Sequence, residues 1–538
     1  MTLLAERTTE QPKAYVKVVE WFQFSLVRWW LLCASLAVAL RLPFLNVPLG
    51  IDEGGDSFVA RAWGTTEGSM YGRSWLDRPP LLVLVYKLGV IGGDRGVRVL
   101  GIVAAMLLVA GTMIIANHIS GTRAARITGL ITAVMSSSVI LGAVFTGNEL
   151  LATVPVTFAI VALVRSRGSA HTHEWLFLSG FLASCALLIK QSFGEVLVAG
   201  GVFLLVSWRT RERSGFRVQW ALWWSAGVAL PLVITFAWFA QYSVGMRSFV
   251  YAIVGFRFDS LNLLHSSDQG PVYMLIHLGL PIVIASGCLL LVPWAASWLY
   301  HRRTDPQLVL PLAAWLVVGF IGITGGGNYY PHYFIQPLAA LAVLSGCALA
   351  VTRRRRLFLA TGSILAFLAI GNVALGTTLQ SVDPPQQRTL AVAQYLRANS
   401  HPDDSLYVLY ARANLLYYAD MPTTYPYAWS TMIRAVPGAE HKLRTMLRTP
   451  SERPTWIVEW QLPSDLGMDV SGETSRLLAE NYVQTDDICG KPVLIRKDQA
   501  LRPLHRPAKA PCATLKMPKI LGPDTSRSPS DSAEYLWQ

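Results

Sequence analysis

The sequence predicts an all-α polytopic membrane domain of about 11 transmembrane helices, followed by a small extracytoplasmic α/β domain. Of its 538 residues 52% are hydrophobic and only 15% are charged, which is too apolar for an ordinary soluble protein. Long apolar runs alternate with short basic loops up to about residue 380, and a mixed helix and strand pattern follows. The bilayer is therefore the expected solvent for most of the chain.

Eleven apolar runs are long enough to be candidate spans, since crossing about 30 Å of hydrocarbon takes roughly 20 residues in a helix. The candidate spans are Val27–Leu45, Val97–Ala116, Ala124–Phe145, Glu149–Val164, Trp175–Ile189, Phe193–Trp208, Trp223–Ala240, Leu275–Trp298, Leu308–Thr324, Ile335–Ala350 and Leu357–Thr377.

The basic residues predict the orientation of these spans. They cluster in alternate loops, at Arg123 and Arg126, Arg165 and Arg167, Arg209 to Arg217, Arg302 and Arg303, and Arg353 to Arg356. The positive-inside rule makes this side cytoplasmic, together with the N-terminus, in a multi-pass protein of the inner (plasma) membrane. An odd number of spans then places the C-terminal domain outside. The net charge of +13 is explained by these loops, so no nucleic-acid partner is expected.

We expect a membrane domain over residues 1–379, with a first extracytoplasmic loop over 46–96, an α/β domain over 380–500 and a flexible tail over 501–538. Phe58–Trp63 and Leu81–Ile91 in the first loop are predicted to be helices at the membrane interface. In the α/β domain we predict helices near Arg388–Ala398 and Thr474–Asn481, and strands at Leu406–Tyr410, Thr455–Trp460 and Val493–Arg496. Cys489 and Cys512 lie outside the spans and could pair there.

Three carboxylates, Asp52, Glu53 and Asp56, lie within five residues just after the first span. Acids beside a bilayer are costly unless they are solvated, paired or used. One interpretation is a solvated turn. The other is a catalytic site, since a carboxylate at the depth of a lipid phosphate can take a proton from an attacking hydroxyl.

Several short motifs in order extend this second interpretation. They are Asp52-Glu53, Trp75-Leu76-Asp77-Arg78-Pro79-Pro80-Leu81-Leu82, Thr146-Gly147-Asn148-Glu149-Leu150-Leu151, Ile189-Lys190-Gln191 and Asn328-Tyr329-Tyr330-Pro331-His332-Tyr333. Together they resemble the C-type glycosyltransferase fold, with bacterial aminoarabinose transferases and protein O-mannosyltransferases as the most similar families. The motifs cover most of the first 380 residues.

The resemblance implies a polyprenyl-monophosphate sugar donor, an inverting single displacement and an outward-facing cavity. Asp52 would be the general base, and Glu53 would position Asp52 or the acceptor. Arg78 would bind the leaving phosphate, since a guanidinium matches phosphate oxygens. The family often has lysine at this place, so the details of that contact differ here.

The other motif residues keep two interpretations each. Lys190 is either a second phosphate cation or a lysine that snorkels at a span end. Glu149 is either a solvated helix N-terminus or a cavity acid that contacts the sugar. His332 and Tyr333 are either substrate contacts or part of the interfacial aromatic belt. Arg257 is a further phosphate candidate with fewer arguments in its favour.

Asp52, Asp56 and Glu149 are also oxygen ligands of the kind that a divalent cation prefers. We expect no obligatory metal or other cofactor, although a divalent cation is an option. Asp56 is expected to bind substrate. The expected partners are the lipid-linked donor, membrane lipids and an envelope glycan, glycolipid or protein as acceptor. A transporter and a non-catalytic envelope assembly protein are the alternatives, although transporters place their ionisable residues nearer the bilayer centre.

Overall fold

The computed structural model describes residues 12–65, 70–210, 216–241, 245–265, 271–325, 328–382 and 386–505. A long series of helices comes first. Its members are α1 (Pro12–Arg41), α2 (Ile51–Ala62), α3 (Pro80–Val90), α4 (Gly93–Met135), α5 (Asn148–Arg165), α6 (Thr172–Ile189), α7 (Glu195–Arg209), α8 (Val218–Ala240), α9 (Met246–Val250), α10 (Phe256–His265), α11 (Pro271–Met274), α12 (Leu280–Ala285), α13 (Cys288–His301), α14 (Pro306–Thr324), α15 (Leu338–Val351) and α16 (Arg355–Val382).

Seven helices in the described ranges are long and apolar enough to cross a membrane. An eighth span results if the segments Pro271–Ala285 and Cys288–His301, which meet at a bend of 76°, count as one. The chain is thus a multi-pass membrane protein. The count is below eleven partly because α4 covers two predicted spans in 43 residues, while α7 and α15 have only 15 and 14 residues.

A glycine separates the two halves of α4. Gly121 has a φ of 81° and a ψ of −179°, so the backbone leaves helical geometry there. L-residues with a side chain rarely adopt this φ, whereas glycine adopts it without a steric penalty. The two predicted spans are therefore two helical segments joined at a break.

The irregular segment 136–147, between α4 and α5, is held by a buried arginine. Arg41 ends α1 and is 2% exposed. Its guanidinium donates to the backbone carbonyls of Ser136 at 2.6 Å, Val144 at 3.2 Å and Ala143. Since a buried cation needs acceptors, these contacts fix the shape of the segment.

The first loop differs from the sequence-based expectation. We expected Phe58–Trp63 to lie at the membrane interface, but α2 is buried from Glu53 to Ala60 against other parts of the protein. Helix α3 does have one buried face, with Leu82 and Val83, and one exposed face, with Leu84 and Leu88. Glu53 and Asp56 therefore lie in the protein interior, while Asp52 is half-buried.

After α16 the chain forms an α/β unit. Its elements are α17 (Gln387–Asn399), β1 (Leu406–Val408), α18 (Ala413–Ala419), α19 (Ser430–Ala435), α20 (Ala439–Arg448), β2 (Trp456–Val458), α21 (Glu473–Asn481), β3 (Tyr482–Asp487) and β4 (Pro492–Arg496). The described strands form one sheet in the order β1-β2-β4-β3. Only β1 and β2 are parallel, with Leu406 opposite Trp456.

The predicted strands of this unit are present, but β3 was missed. It is an edge strand whose Val483 and Gln484 are exposed and which ends in two aspartates, so its sequence resembles a loop. Of the two cysteines predicted to pair, the structure describes one. Cys489 is disulfide-bonded, and Cys512 lies outside the described residues.

The α/β unit packs directly on the first loop, with α18 against α2. The backbone N–H of Leu49 donates to the hydroxyl of Tyr418 at 2.5 Å, and the side-chain amide of Asn414 donates to the carbonyl of Leu49 at 3.2 Å. A Cβ on Gly54 would lie 2.3 Å from the Cβ of Asn414. Close contact between these elements therefore depends on a residue without a side chain.

Candidate active site

Glu53 ties three parts of the site together. Its Oε1 accepts from Nη1 of Arg98 at 2.5 Å and from the backbone N–H of Thr146 at 2.6 Å. Its Oε2 accepts from the backbone N–H of Gly50 at 3.0 Å, which caps the start of α2. A carboxylate held by three hydrogen bonds is suited to positioning its neighbour Asp52.

Asp52 lies in the first turn of α2 and is half-buried. Its Oδ1 accepts a hydrogen bond from Nε1 of Trp429 at 3.0 Å. The indole belongs to the segment just before α19, in the α/β unit. Sequence reasoning missed Trp429, because no local motif links it to a residue so distant along the chain.

A second residue that the sequence analysis gave no role is Asp77. Its Oδ2 accepts from Nη1 of Arg78 and from Nη2 of Arg257, each at 2.5 Å. Its backbone carbonyl accepts from Nε2 of Gln191 at 2.9 Å. Asp77 therefore holds the two predicted phosphate-binding arginines side by side.

The charges around Asp77 control its ionisation. Burial raises the pKa of Asp77, but Arg78 and Arg257 outweigh this effect, and the net pKa lies below the usual value. The carboxylate is therefore ionised at neutral pH and compensates part of the charge of both arginines.

Glu149 and Lys190 form a buried ion pair. Their side chains are 4% and 9% exposed, so Lys190 does not snorkel into water. Nε2 of His332 lies 3.6 Å from Oε1 of Glu149, and Nζ of Lys190 lies 4.4 Å from the ring centroid of Tyr333. The four residues from distant motifs thus form one polar cluster.

Asp56 lies one turn after Asp52 and is 2% exposed. Within the described part of the chain, its Oδ2 has no hydrogen-bond partner. Burial raises the pKa of Asp56 well above its usual value, and the neighbouring Arg78 offsets only part of that shift. Burial therefore favours the neutral form of Asp56 more than solvent would.

A cavity of about 450 Å³, open solvent included, lies among these groups, and some of them form its wall. Asp52, Arg78 and His332 contribute to its wall. The complete lining is Gly50, Asp52, Glu53, Arg78, Tyr86, Gly142, Phe145, Gly147, Asn148, Glu149 and His332. Lys190 and Arg257 lie behind this wall, through their ion pairs with Glu149 and Asp77. The structure thus brings the predicted site residues into one region.

The described acids of this region do not form a metal site. Over the described ranges, there is no group of three or more His, Cys, Asp or Glu side chains that could hold a metal ion. Glu149 is already paired with Lys190, and Asp52 is bonded to Trp429. Asp52, Asp56 and Glu149 therefore do not converge as ligands.

Sequence comparison gives one family match. Residues 77–239 match the family described as dolichyl-phosphate-mannose-protein mannosyltransferase. The matched segment includes Arg78, Glu149 and Lys190 but covers less than half of the chain. Among curated proteins, no sequence gives a significant match.

Structural comparison extends the likeness to nearly the whole fold. ArnT from Cupriavidus metallidurans, bound to undecaprenyl phosphate, matches with a TM-score of 0.62 at 17% identity, over 88% of this chain and 99% of that chain. Its apo form matches with a TM-score of 0.61 at 17% identity, over 89% and 100%. The Archaeoglobus fulgidus oligosaccharyltransferase, tethered to an acceptor peptide, matches with a TM-score of 0.52 at 14% identity, over 86% and 73%.

At these identities the comparisons establish the fold. The chain is a multi-pass membrane protein with the C-type glycosyltransferase fold, as the ordered motifs predicted. Its similarity to ArnT extends into the α/β unit, because a match over 88% of this chain is longer than the part of the chain that precedes that unit.

Proposed function

We propose that this chain is a membrane glycosyltransferase that moves a sugar from a polyprenyl-monophosphate donor to an envelope glycan, glycolipid or protein. The observation that carries the proposal is that Asp52 and Arg78 line the same cavity beside the apolar helices. A carboxylate can accept the proton of an attacking hydroxyl, and a guanidinium can bind the phosphate that leaves. Sugar transfer from a lipid phosphate can use both groups.

The proposed reaction is a single displacement with inversion. The acceptor oxygen attacks the anomeric carbon from the face opposite the phosphate, and Asp52 takes the hydroxyl proton. The bond between the anomeric carbon and the phosphate oxygen breaks, and its electron pair leaves with the polyprenyl phosphate. The only charge that must be newly stabilised is on that phosphate.

The arginines and Lys190 supply this stabilisation in the proposal. Arg78 contacts the phosphate directly, while Arg257 is held beside it by Asp77 and Lys190 by Glu149. Prepositioned cations of this kind contribute most where negative charge develops. They make an obligatory metal unnecessary, so the proposal includes none and treats a divalent cation as optional.

The remaining residues bind and orient the substrates. Glu53 positions Asp52 through α2, and His332 and Tyr333 contact the sugar or phosphate from the side of Glu149. Asp56 lies one turn after Asp52 on α2 and is a further substrate-binding residue in this proposal.

The site opens on the extracytoplasmic face in this proposal. The basic loops lie on the opposite side, which the positive-inside rule makes cytoplasmic together with the N-terminus. The α/β unit packs on the first loop, so it lies on the same face as the cavity. Lipid-linked donor and envelope acceptor then meet in the inner (plasma) membrane.

A transfer assay tests the proposal. The purified protein in lipid bilayers is offered a panel of labelled polyprenyl-phosphate sugars and an envelope extract. We expect the label of one donor to enter an acceptor, with release of an equal amount of polyprenyl phosphate. Absence of both transfer and donor binding across the panel would favour a transporter or an assembly protein instead.

A further inference from the structure

Trp429 is the one contact from the α/β unit to the proposed general base that the described residues record. We propose that Trp429 is a positioning residue for Asp52, so that the α/β unit forms part of the catalytic machinery. The inference rests on the proposed function and deepens it.

The backbone of Trp429 is fixed at the start of α19. Its carbonyl accepts from the backbone N–H groups of Met432 at 3.0 Å and Ile433 at 3.3 Å. The side chains of both residues are buried, at 2% and 3% exposure. The indole therefore extends toward Asp52 from a backbone that is held in place by a packed helix.

The indole also packs tightly against α2 itself. A Cβ on Gly55 would lie 2.3 Å from Cζ2 of Trp429, closer than real carbon atoms approach. Gly55 is thus required for the ring to reach Asp52. The neighbouring Gly54 is in equally close contact with Asn414. The absence of a side chain at both glycines therefore allows the α/β unit to pack against α2.

The segment before α19 also reaches the phosphate side of the site. The ring of Tyr427 lies 5.5 Å from that of Trp75, which lies 5.2 Å from that of Phe256. Phe256 directly precedes Arg257. One short segment of the α/β unit therefore contacts the base through Trp429 and, through two aromatic rings, the region of the leaving-group cations.

The hydrogen bond has a specific use at a general base. It fixes the plane of the carboxylate through Oδ1 and leaves the second oxygen for the proton of the acceptor. A carboxylate held in one orientation populates fewer unproductive rotamers. The productive near-attack geometry is therefore populated more often. Loss of the N–H should therefore reduce turnover without changing donor affinity.

Trp429→Phe removes the N–H and keeps an aromatic ring. Trp456→Phe is the matched control, because Trp456 also donates its indole N–H to an aspartate at 3.0 Å, Asp404, within the same unit. We expect kcat to fall about tenfold in the first variant, with the KM for donor unchanged, and to stay the same in the control. An unchanged kcat, or an equal fall in the control, would overturn the inference.

A second variant reaches the same contact from the other side. Gly55→Ala places a methyl group where the indole lies, and it should reproduce the fall in kcat even if Trp429→Phe does not fold. Gly201→Ala is its control, since nothing lies within 4 Å of a Cβ there. If the wild type transfers sugar and both variants equal it, the positioning role fails alone. If the wild type transfers none, the proposed function fails first.

Discussion

Asp77 and Arg257 are 180 positions apart and form an ion pair, with 2.5 Å between Oδ2 of Asp77 and Nη2 of Arg257. The same carboxylate oxygen binds Arg78 at 2.5 Å. A buried acid that bridges two arginines lowers their mutual repulsion and keeps both near the cavity. In the proposed function, the arrangement keeps two cations together for the phosphate of the donor.

Asp77→Asn should weaken the binding of polyprenyl phosphate by about tenfold, because an uncharged amide no longer holds both guanidinium groups in place. Binding to the purified protein in lipid bilayers, measured by calorimetry, checks this. Asp305→Asn is the control, since Asp305 pairs with Arg167 at 2.8 Å and does not line the cavity. Equal or tighter binding in Asp77→Asn would show that the acid only competes with the ligand.

Lys190→Met should lower the free energy of unfolding by about 3–5 kcal/mol, because it leaves Glu149 buried without its counter-charge. Denaturant titration in detergent measures the loss. The double variant Glu149→Gln with Lys190→Met should recover much of the stability but not the donor affinity. Recovery of both would remove Lys190 from the proposed phosphate site.

Asp56→Asn should stabilise the protein at neutral pH. The pKa of Asp56 is raised in the folded state, so the wild type loses stability as pH rises above the unfolded-state value of about 3.9. Asparagine does not titrate and avoids this loss. Thermal unfolding should therefore show a higher midpoint for the variant at pH 7 and a shrinking difference toward pH 4. A difference that is constant across this range would contradict the raised pKa.

Glu53→Gln should destabilise the protein by about 1–3 kcal/mol and reduce turnover. An amide cannot accept all three hydrogen bonds, and it leaves the buried Arg98 without the carboxylate that pairs with it. Glu480→Gln is the control, because Glu480 pairs with Arg476 on the surface, where both side chains are at least half exposed. Exposed pairs contribute little. Similar unfolding midpoints for both variants would exclude the structural role of Glu53.

The sequence was sufficient for the membrane helices, and it singled out several candidate residues that the structure brings together. Hydropathy located the apolar segments, because burial in lipid requires runs of apolar residues that are visible locally. Asp52, Arg78 and Glu149 were candidates because they stand in short motifs at the ends of these segments, and the structure places all three on one cavity wall. Their roles stay a prediction.

The contacts that complete the site were not predictable in this way. Trp429 meets Asp52 across 377 positions, and the role of Asp77 depends on Arg257, which lies in a distant helix. Burial of α2 was also missed, because its short apolar stripe is equally suited to a membrane surface and to the α/β unit. Such pairings are set by the tertiary fold, which one unaligned sequence does not reveal.

The most direct test of the account compares wild type with Asp52→Asn in lipid bilayers, following both sugar transfer and donor binding. The account predicts that transfer falls by at least about a hundredfold while donor affinity is retained, because the base acts on the acceptor and not on the phosphate. Retained transfer in Asp52→Asn would contradict the central claim.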